Sequence, residues 1–333
     1  MPASLNDAIA FLETQWSSIN DNKMKGILAE QKLKQFLLDN HHHFVSGGWI
    51  LTPGNHSITP IPTREKLCLL PRRHAFSWQY QRSNQNVLTP AEISAYNYFR
   101  HVGVRALLVE PVDINEGNFV LPTASRGNVR AIYPRPYPLK LCEVSPVGEL
   151  VEVVADNVFR RFPRRSGNVG MRCYQGNIQD RGGPPWSSPD VVSDLFWFEY
   201  ARYYFQIDYL LSNNDLDMFI VGPSGSPYPV EVKSKSSASD STLGDWFGID
   251  MGPFAKLSFF VQNAVNNDAL YVVEEVDENR SHIQWHGIRF SDLVKSCSWV
   301  GRAGGTGMTG GASATYKVPK AAFSGLAELI ARL

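Results

Sequence analysis

The chain has 333 residues, 43% of them apolar and 19% charged, and its 32 basic side chains are balanced by 32 acidic ones. That length accommodates one large domain or two ordinary ones, with enough core to dispense with covalent staples. Zero formal charge argues against a non-specific DNA-coating protein but not against an enzyme with one basic cleft, since any attraction for nucleic acid has to come from a local patch. The four cysteines, Cys68, Cys142, Cys173 and Cys297, lie far apart with no CxxC or Cys/His spacing, which argues against a zinc site or a disulfide framework. The opening Met-Pro-Ala-Ser-Leu-Asn-Asp does not read as a signal peptide, and no apolar run reaches membrane-spanning length. The expected compartment is the reducing cytoplasm, with no membrane partner.

In chain order, residues 4–40 predict two helices. Leu5, Ile9, Phe11, Leu12 and Trp16 mark the first stripe, and Ile27, Leu28, Leu33, Phe36, Leu37 and Leu38 the second, which runs out at Asp39-Asn40 and three histidines. Between about 44 and 156, short apolar runs divided by Pro and Gly predict strands at 43–51, 104–112 and 151–154. A helix intervenes at Thr89–Arg100, with Thr89 as cap and Pro90 in its first turn. Residues 160–190 are rich in Gly, Pro and Arg and read as a long loop. Asp194–Leu211 predicts a helix buried on most sides. Two strands, Leu216–Val221 and Tyr228–Lys235, follow as a hairpin across Gly-Pro-Ser-Gly-Ser-Pro. Trp246–Asp250 reads as a loop into a helix at Phe254–Ala264. Strands at Ala269–Val276 and His282–Phe290 and a closing helix at Ala321–Leu333 complete the chain.

Alternation along a strand turns Glu231 and Lys233 to one face and Val230 and Val232 to the other. A carboxylate beside an ammonium on an otherwise apolar strand calls for an explanation. The hairpin brings Asp217, at the start of the preceding strand, close to Glu231. Two carboxylates with no cation between them repel and raise one pKa. A Mg²⁺ ion removes that cost because it takes oxygen ligands. Held by Asp217 and Glu231, it would polarise a phosphodiester and acidify a water, with Lys233 neutralising charge on the phosphate. A surface ion pair of Glu231 with Lys233 is the plain structural alternative.

Asp217, then Glu231-Val-Lys233 on the next strand, then a helix and a strand, resembles the PD-(D/E)XK nuclease superfamily over roughly residues 192–290. Asp217 follows Leu216 rather than a proline. The resemblance implies an α/β restriction-endonuclease-like core of αβββαβ order in 186–333, with 1–185 as an N-terminal DNA-recognition region. It implies a Mg²⁺-dependent endonuclease like the type II restriction enzymes, acting on double-stranded DNA as a homodimer and leaving 5′-phosphate and 3′-hydroxyl ends. A cognate DNA methyltransferase is then the genetic partner. Modified or branched DNA as substrate, or DNA binding without catalysis, are the other readings.

The superfamily adds an acid from a helix, and two residues compete for that role. Glu199, among Trp197, Phe198 and Tyr200, keeps the core contiguous and is slightly preferred, although a buried pair with Arg202 accounts for it as well. Glu30 resembles the GxxxE helix start of part of the superfamily, but a very large insertion then separates it from the hairpin, and pairing with Lys34 is its plain alternative. The arginine-rich stretch holding Arg160, Arg161, Arg164, Arg165 and Arg172 is the candidate DNA contact, because arginine reads guanine edges and phosphates. A weaker patch is Arg72–Arg82. His282 and His286 are placed on one face of a strand without a third ligand, and His41–His43 are better read as complementing a helix C-terminus than as a metal site.

Overall fold

The computed structural model describes residues 21–51, 66–71, 88–111, 139–145, 148–160, 189–206, 214–263, 268–299, 302–303 and 314–333, together with Asn6, Ala8, Ile9, Phe11 and Leu12. In chain order the elements are α1 (Asp21–Asp39), β1 (His43–Leu51), β2 (Leu67–Pro71), α2 (Pro90–His101), β3 (Arg105–Pro111), β4 (Leu139–Val144), β5 (Leu150–Val153), α3 (Ala155–Phe159) and α4 (Pro189–Gln206). There follow β6 (Asn214–Val221), β7 (Pro227–Lys235), β8 (Ala238–Asp240), β9 (Gly244–Asp250), α5 (Met251–Asn263), β10 (Leu270–Val276), β11 (His282–Arg289) and α6 (Phe290–Ser296). The last are β12 (Arg302–Ala303), β13 (Ala314–Pro319), β14 (Ser324–Gly325) and α7 (Leu326–Ala331). The fold is mixed α/β, with mixed sheet flanked by helices, and the chain divides into two units. Unit 1 takes residues 1–28, 46–89 and 104–215, and unit 2 takes 29–45, 90–103 and 216–333.

Unit 1 orders its strands β1-β2-β3-β4-β5, with β2 and β3 parallel and the other neighbours antiparallel. Its core joins Trp49, Leu69, Leu107 and Leu141 from the sheet to Phe196, Trp197, Tyr200 and Phe205 of α4. The apolar residues of α4 are not confined to one stripe, and they pack as that composition predicts. Phe196 stacks on Tyr200 at 5.6 Å, and Trp49 meets Phe198 at 4.7 Å.

Unit 2 orders its strands β14-β11-β10-β7-β6, with β7 and β10 parallel and the rest antiparallel. Met218, Val230, Val232, Leu270 and Val272 on one face meet Ala29, Leu33 and Leu37 of α1 and Leu326, Leu329 and Ile330 of α7. On the other face, Phe219 packs edge-on to Tyr98 and Phe99 of α2 at 5.6 and 5.2 Å. Leu257 of α5, Leu293 of α6 and the strand residues Phe247, Ile249 and Val318 gather around Tyr271 and Val273 on that same side. The last three come from a separate antiparallel sheet, β12-β13-β9-β8.

Three sequence expectations change here. Trp246–Asp250 is a strand, β9, rather than a loop, because Phe247 and Ile249 alternate into the core while β13 pairs along the whole stretch from Trp246↔Pro319 to Asp250↔Thr315. The expected helix at 321–333 is shortened to Leu326–Ala331, since Ser324 and Gly325 are drawn into pairing with β11. His282 and His286 do not share a face. A bulge between Glu275↔Gln284 and Val276↔His282 leaves one extra residue in β11 and turns His282 to Glu274 while His286 meets Glu275. The strand β2, five buried residues with no polar alternation, is a run that the period-two signal does not reach. No helix among the described residues is long and apolar enough to cross a membrane.

Candidate active site

The hairpin β6–β7 is set by its turn. Gly225 donates its N–H to Gly222 O at 2.9 Å, and Gly222 donates to Ser226 O at 2.9 Å. Gly225 takes φ +82°, a left-handed conformation that costs glycine least. The register runs Val221↔Pro227 to Met218↔Val230, and one further step brings Asp217 opposite Glu231. Asp217 Oδ2 accepts the backbone N–H of Val232 at 2.7 Å, which fixes its carboxylate against β7. Across the parallel pairing with β10, Tyr271 lies beside Glu231 and Val273 beside Lys233.

Glu231 is 2% exposed, and both of its oxygens carry an ammonium group. Lys233 Nζ lies 2.6 Å from Oε1, and Lys256 Nζ, reaching in from α5, lies 2.5 Å from Oε2. The site is therefore a cluster of two carboxylates and two ammonium groups on one face of the sheet. Burial, and then the charge of Glu231, push the Asp217 carboxyl up to about 7, and the two lysines and the Val232 amide only partly offset this. Burial also works against ionised Glu231, but Lys233 and Lys256 outweigh it and hold that carboxyl below its ordinary value. Both lysines are raised: burial opposes their charge, and Glu231 and Asp217 overcome it. The cost of keeping two acids together thus falls on Asp217.

Next along the same face, Lys235 donates to the carbonyl of Gly248 at 2.6 Å, and Tyr271 donates its O–H to the same carbonyl at 2.6 Å. Burial lowers the Lys235 pKa and raises that of Tyr271. Gly248 itself is required by a close approach, because a Cβ there would meet Thr315 Cγ2 at 2.5 Å.

The structure brings Asp217, Glu231 and Lys233 together. Glu199 lies in unit 1, buried, with Arg202 as its ion-pair partner at 3.5 Å. Glu30 lies half-buried on α1, in unit 2 with the cluster. Arg160 is exposed at the end of α3, and Arg161, Arg164, Arg165 and Arg172 lie outside the described residues, as does the patch Arg72–Arg82. Lys256 is the residue that sequence reasoning passed over. Its signal was present, since it is the one charged side chain in the thirteen residues of α5, one position from buried Leu257 and four from buried Phe260.

Two carboxylates on neighbouring strands, one with a raised pKa, suit a hard divalent cation. Mg²⁺ is commonly held by one or two carboxylates, with waters and substrate phosphate oxygens completing its shell. Among the described residues no group of three or more His, Cys, Asp or Glu side chains is placed to hold a metal ion. No protein-family model, curated protein or solved structure matches the chain.

Proposed function

We propose that this chain is a magnesium-dependent endonuclease of the PD-(D/E)XK type, hydrolysing phosphodiester bonds in double-stranded DNA. The observation that carries the reading is the buried cluster in which Asp217 and Glu231 face each other across a hairpin with Lys233 on Glu231. The order β6, β7, β8, β9, α5, β10, with β8 and β9 in the separate sheet and β7 and β10 parallel, is compatible with the later part of an αβββαβ core. Glu30, in the same unit as the cluster, and Glu199, paired with Arg202, are the two candidates for the further acid.

Asp217 and Glu231 would hold the cation, which when bound supplies Lewis-acid polarisation of the phosphodiester. Lys233 places a positive charge where the phosphate gains negative charge in the transition state, and burial of the Glu231 carboxylate strengthens every Coulomb interaction there. Sequence-specific cutting to 5′-phosphate and 3′-hydroxyl ends, by a homodimer on a palindromic site, belongs to the same proposal.

The decisive experiment incubates long phage DNA with the protein in Mg²⁺ and in EDTA, beside Lys233→Ala. Discrete Mg²⁺-dependent fragments are expected, lost in the variant while DNA binding persists. Full activity in Lys233→Ala would remove this site from the chemistry. A second reading has its own observation: two cations balance two carboxylates, as a purely structural ion network in a DNA-binding protein would. Uncut DNA of every form, including methylated and branched substrates, favours that reading.

A further inference from the structure

The two lysines on Glu231 are tethered differently. Lys233 stands two residues along β7 from the carboxylate it pairs with, so its backbone holds it beside Glu231 whatever else binds. Lys256 comes from α5, where Leu257 and Phe260 anchor the helix to the core, and only its head group commits it to Glu231 Oε2. Its side chain is 15% exposed against 31% for Lys233, so it fills the inner side of the cluster. Asp217, by contrast, is fixed by the backbone N–H of Val232.

We infer that Lys256 is an internal counter-cation that a divalent ion displaces: the ion and the Lys256 ammonium compete for Glu231 Oε2, and the displaced ammonium turns toward the phosphate of the substrate. This rests on the nuclease reading above. A divalent ion bound at that oxygen would have an ammonium group 2.5 Å from the same atom. Like charges so close are costly where solvent screens them poorly. The long lysine stem resolves the conflict, because it stays packed while its head swings. A site built this way remains charge-balanced while it waits and delivers a second cation to the phosphate only when the ion has arrived.

The test uses the full chain with Ca²⁺ as the probe ion. Calorimetry first measures Ca²⁺ binding, and amine acetylation followed by peptide mass spectrometry then compares Lys256 with exposed Lys295, with and without the ion. Lys256 labelling is expected to rise several-fold on binding while Lys295 stays constant. Unchanged Lys256 labelling with Ca²⁺ demonstrably bound overturns the inference and leaves the nuclease reading standing. Absence of Ca²⁺ and Mg²⁺ binding to the unaltered chain overturns both. As a second measurement, Lys256→Met should bind Ca²⁺ roughly tenfold more tightly, because a competing charge is gone. Lys256→Arg should restore the weaker affinity. Equal affinity in a Lys256→Met protein that melts normally also sinks the idea, and the labelling experiment decides if that variant does not fold.

Discussion

Glu231 on β7 and Glu275 on β10 are both buried, both in unit 2, and each is clamped by two basic side chains. Glu275 takes Lys320 on one oxygen at 2.5 Å and His286 on the other at 2.7 Å. Phe247 and Phe323 pack against the imidazole at 5.3 and 6.3 Å. Burial alone would raise the Glu275 carboxyl, but hydrogen bonds from Lys320 and His286 hold it below its ordinary range. Glu231 also has two basic partners, both lysines, and in addition Asp217 stands opposite. That second acid is driven up to about 7 by burial and by its neighbour. The contrast separates a buried acid with basic partners alone from two acids held side by side, one of them raised to about 7. The second arrangement is the one that marks a candidate site for a cation.

The comparison can be broken first by unfolding measurements at pH 7. Glu231→Ala leaves the ammonium groups of half-buried Lys233 and Lys256 without the carboxylate between them and should lower stability by about 3–5 kcal/mol. Glu275→Ala should lose less, on the order of 1–3 kcal/mol, because it strands one lysine ammonium group where Glu231→Ala strands two. Equal losses would mean that both clusters are ordinary structural pairs.

A smaller effect, with a sharper signature, lies in pH. The pKa of Asp217 is higher in the folded chain, about 7, than its ordinary 3.8, so its contribution is fully present below 3.8 and is lost as pH rises through about 7. Glu275, held below its ordinary 4.5, has the opposite sign: its contribution is present above 4.5 and fades as pH falls through the lowered folded value. Melting temperatures of Asp217→Asn should therefore gain on the unaltered chain between pH 4 and 8, roughly the window over which that linkage acts. Glu275→Gln should lag the unaltered chain above pH 4.5 and catch up as pH falls below it. Parallel pH trends would erase the distinction between the two acids. The smallest expected change is Tyr271→Phe. It removes one donor from the Gly248 carbonyl, which keeps Lys235 at 2.6 Å, so a loss of about 1 kcal/mol is expected from denaturant midpoints.

Much of unit 2 was legible beforehand because its elements carry strong local patterns. Val230, Glu231, Val232 and Lys233 alternate cleanly, Gly225 supplies the turn, and 269–273 is apolar without interruption. Trp246–Asp250 was illegible because a glycine at its centre weakens the strand signal, and what makes it a strand is β13, seventy residues further on. The bulge that separates His282 from His286 arises in pairing between two strands, so alternation along one strand alone misplaces a ring.

Residue type and spacing along the chain sufficed for Asp217, Glu231 and Lys233, since alternation and a short turn act over a few residues and need no distant partner. The arrival of Lys256 on Glu231, the clamp of Lys320 and His286 on Glu275, and the gathering of each unit from separate stretches of chain were decided by packing in three dimensions. The physical reason is that burial strips water from these charges, and a desolvated charge selects its partner by distance through space, whatever the separation in sequence.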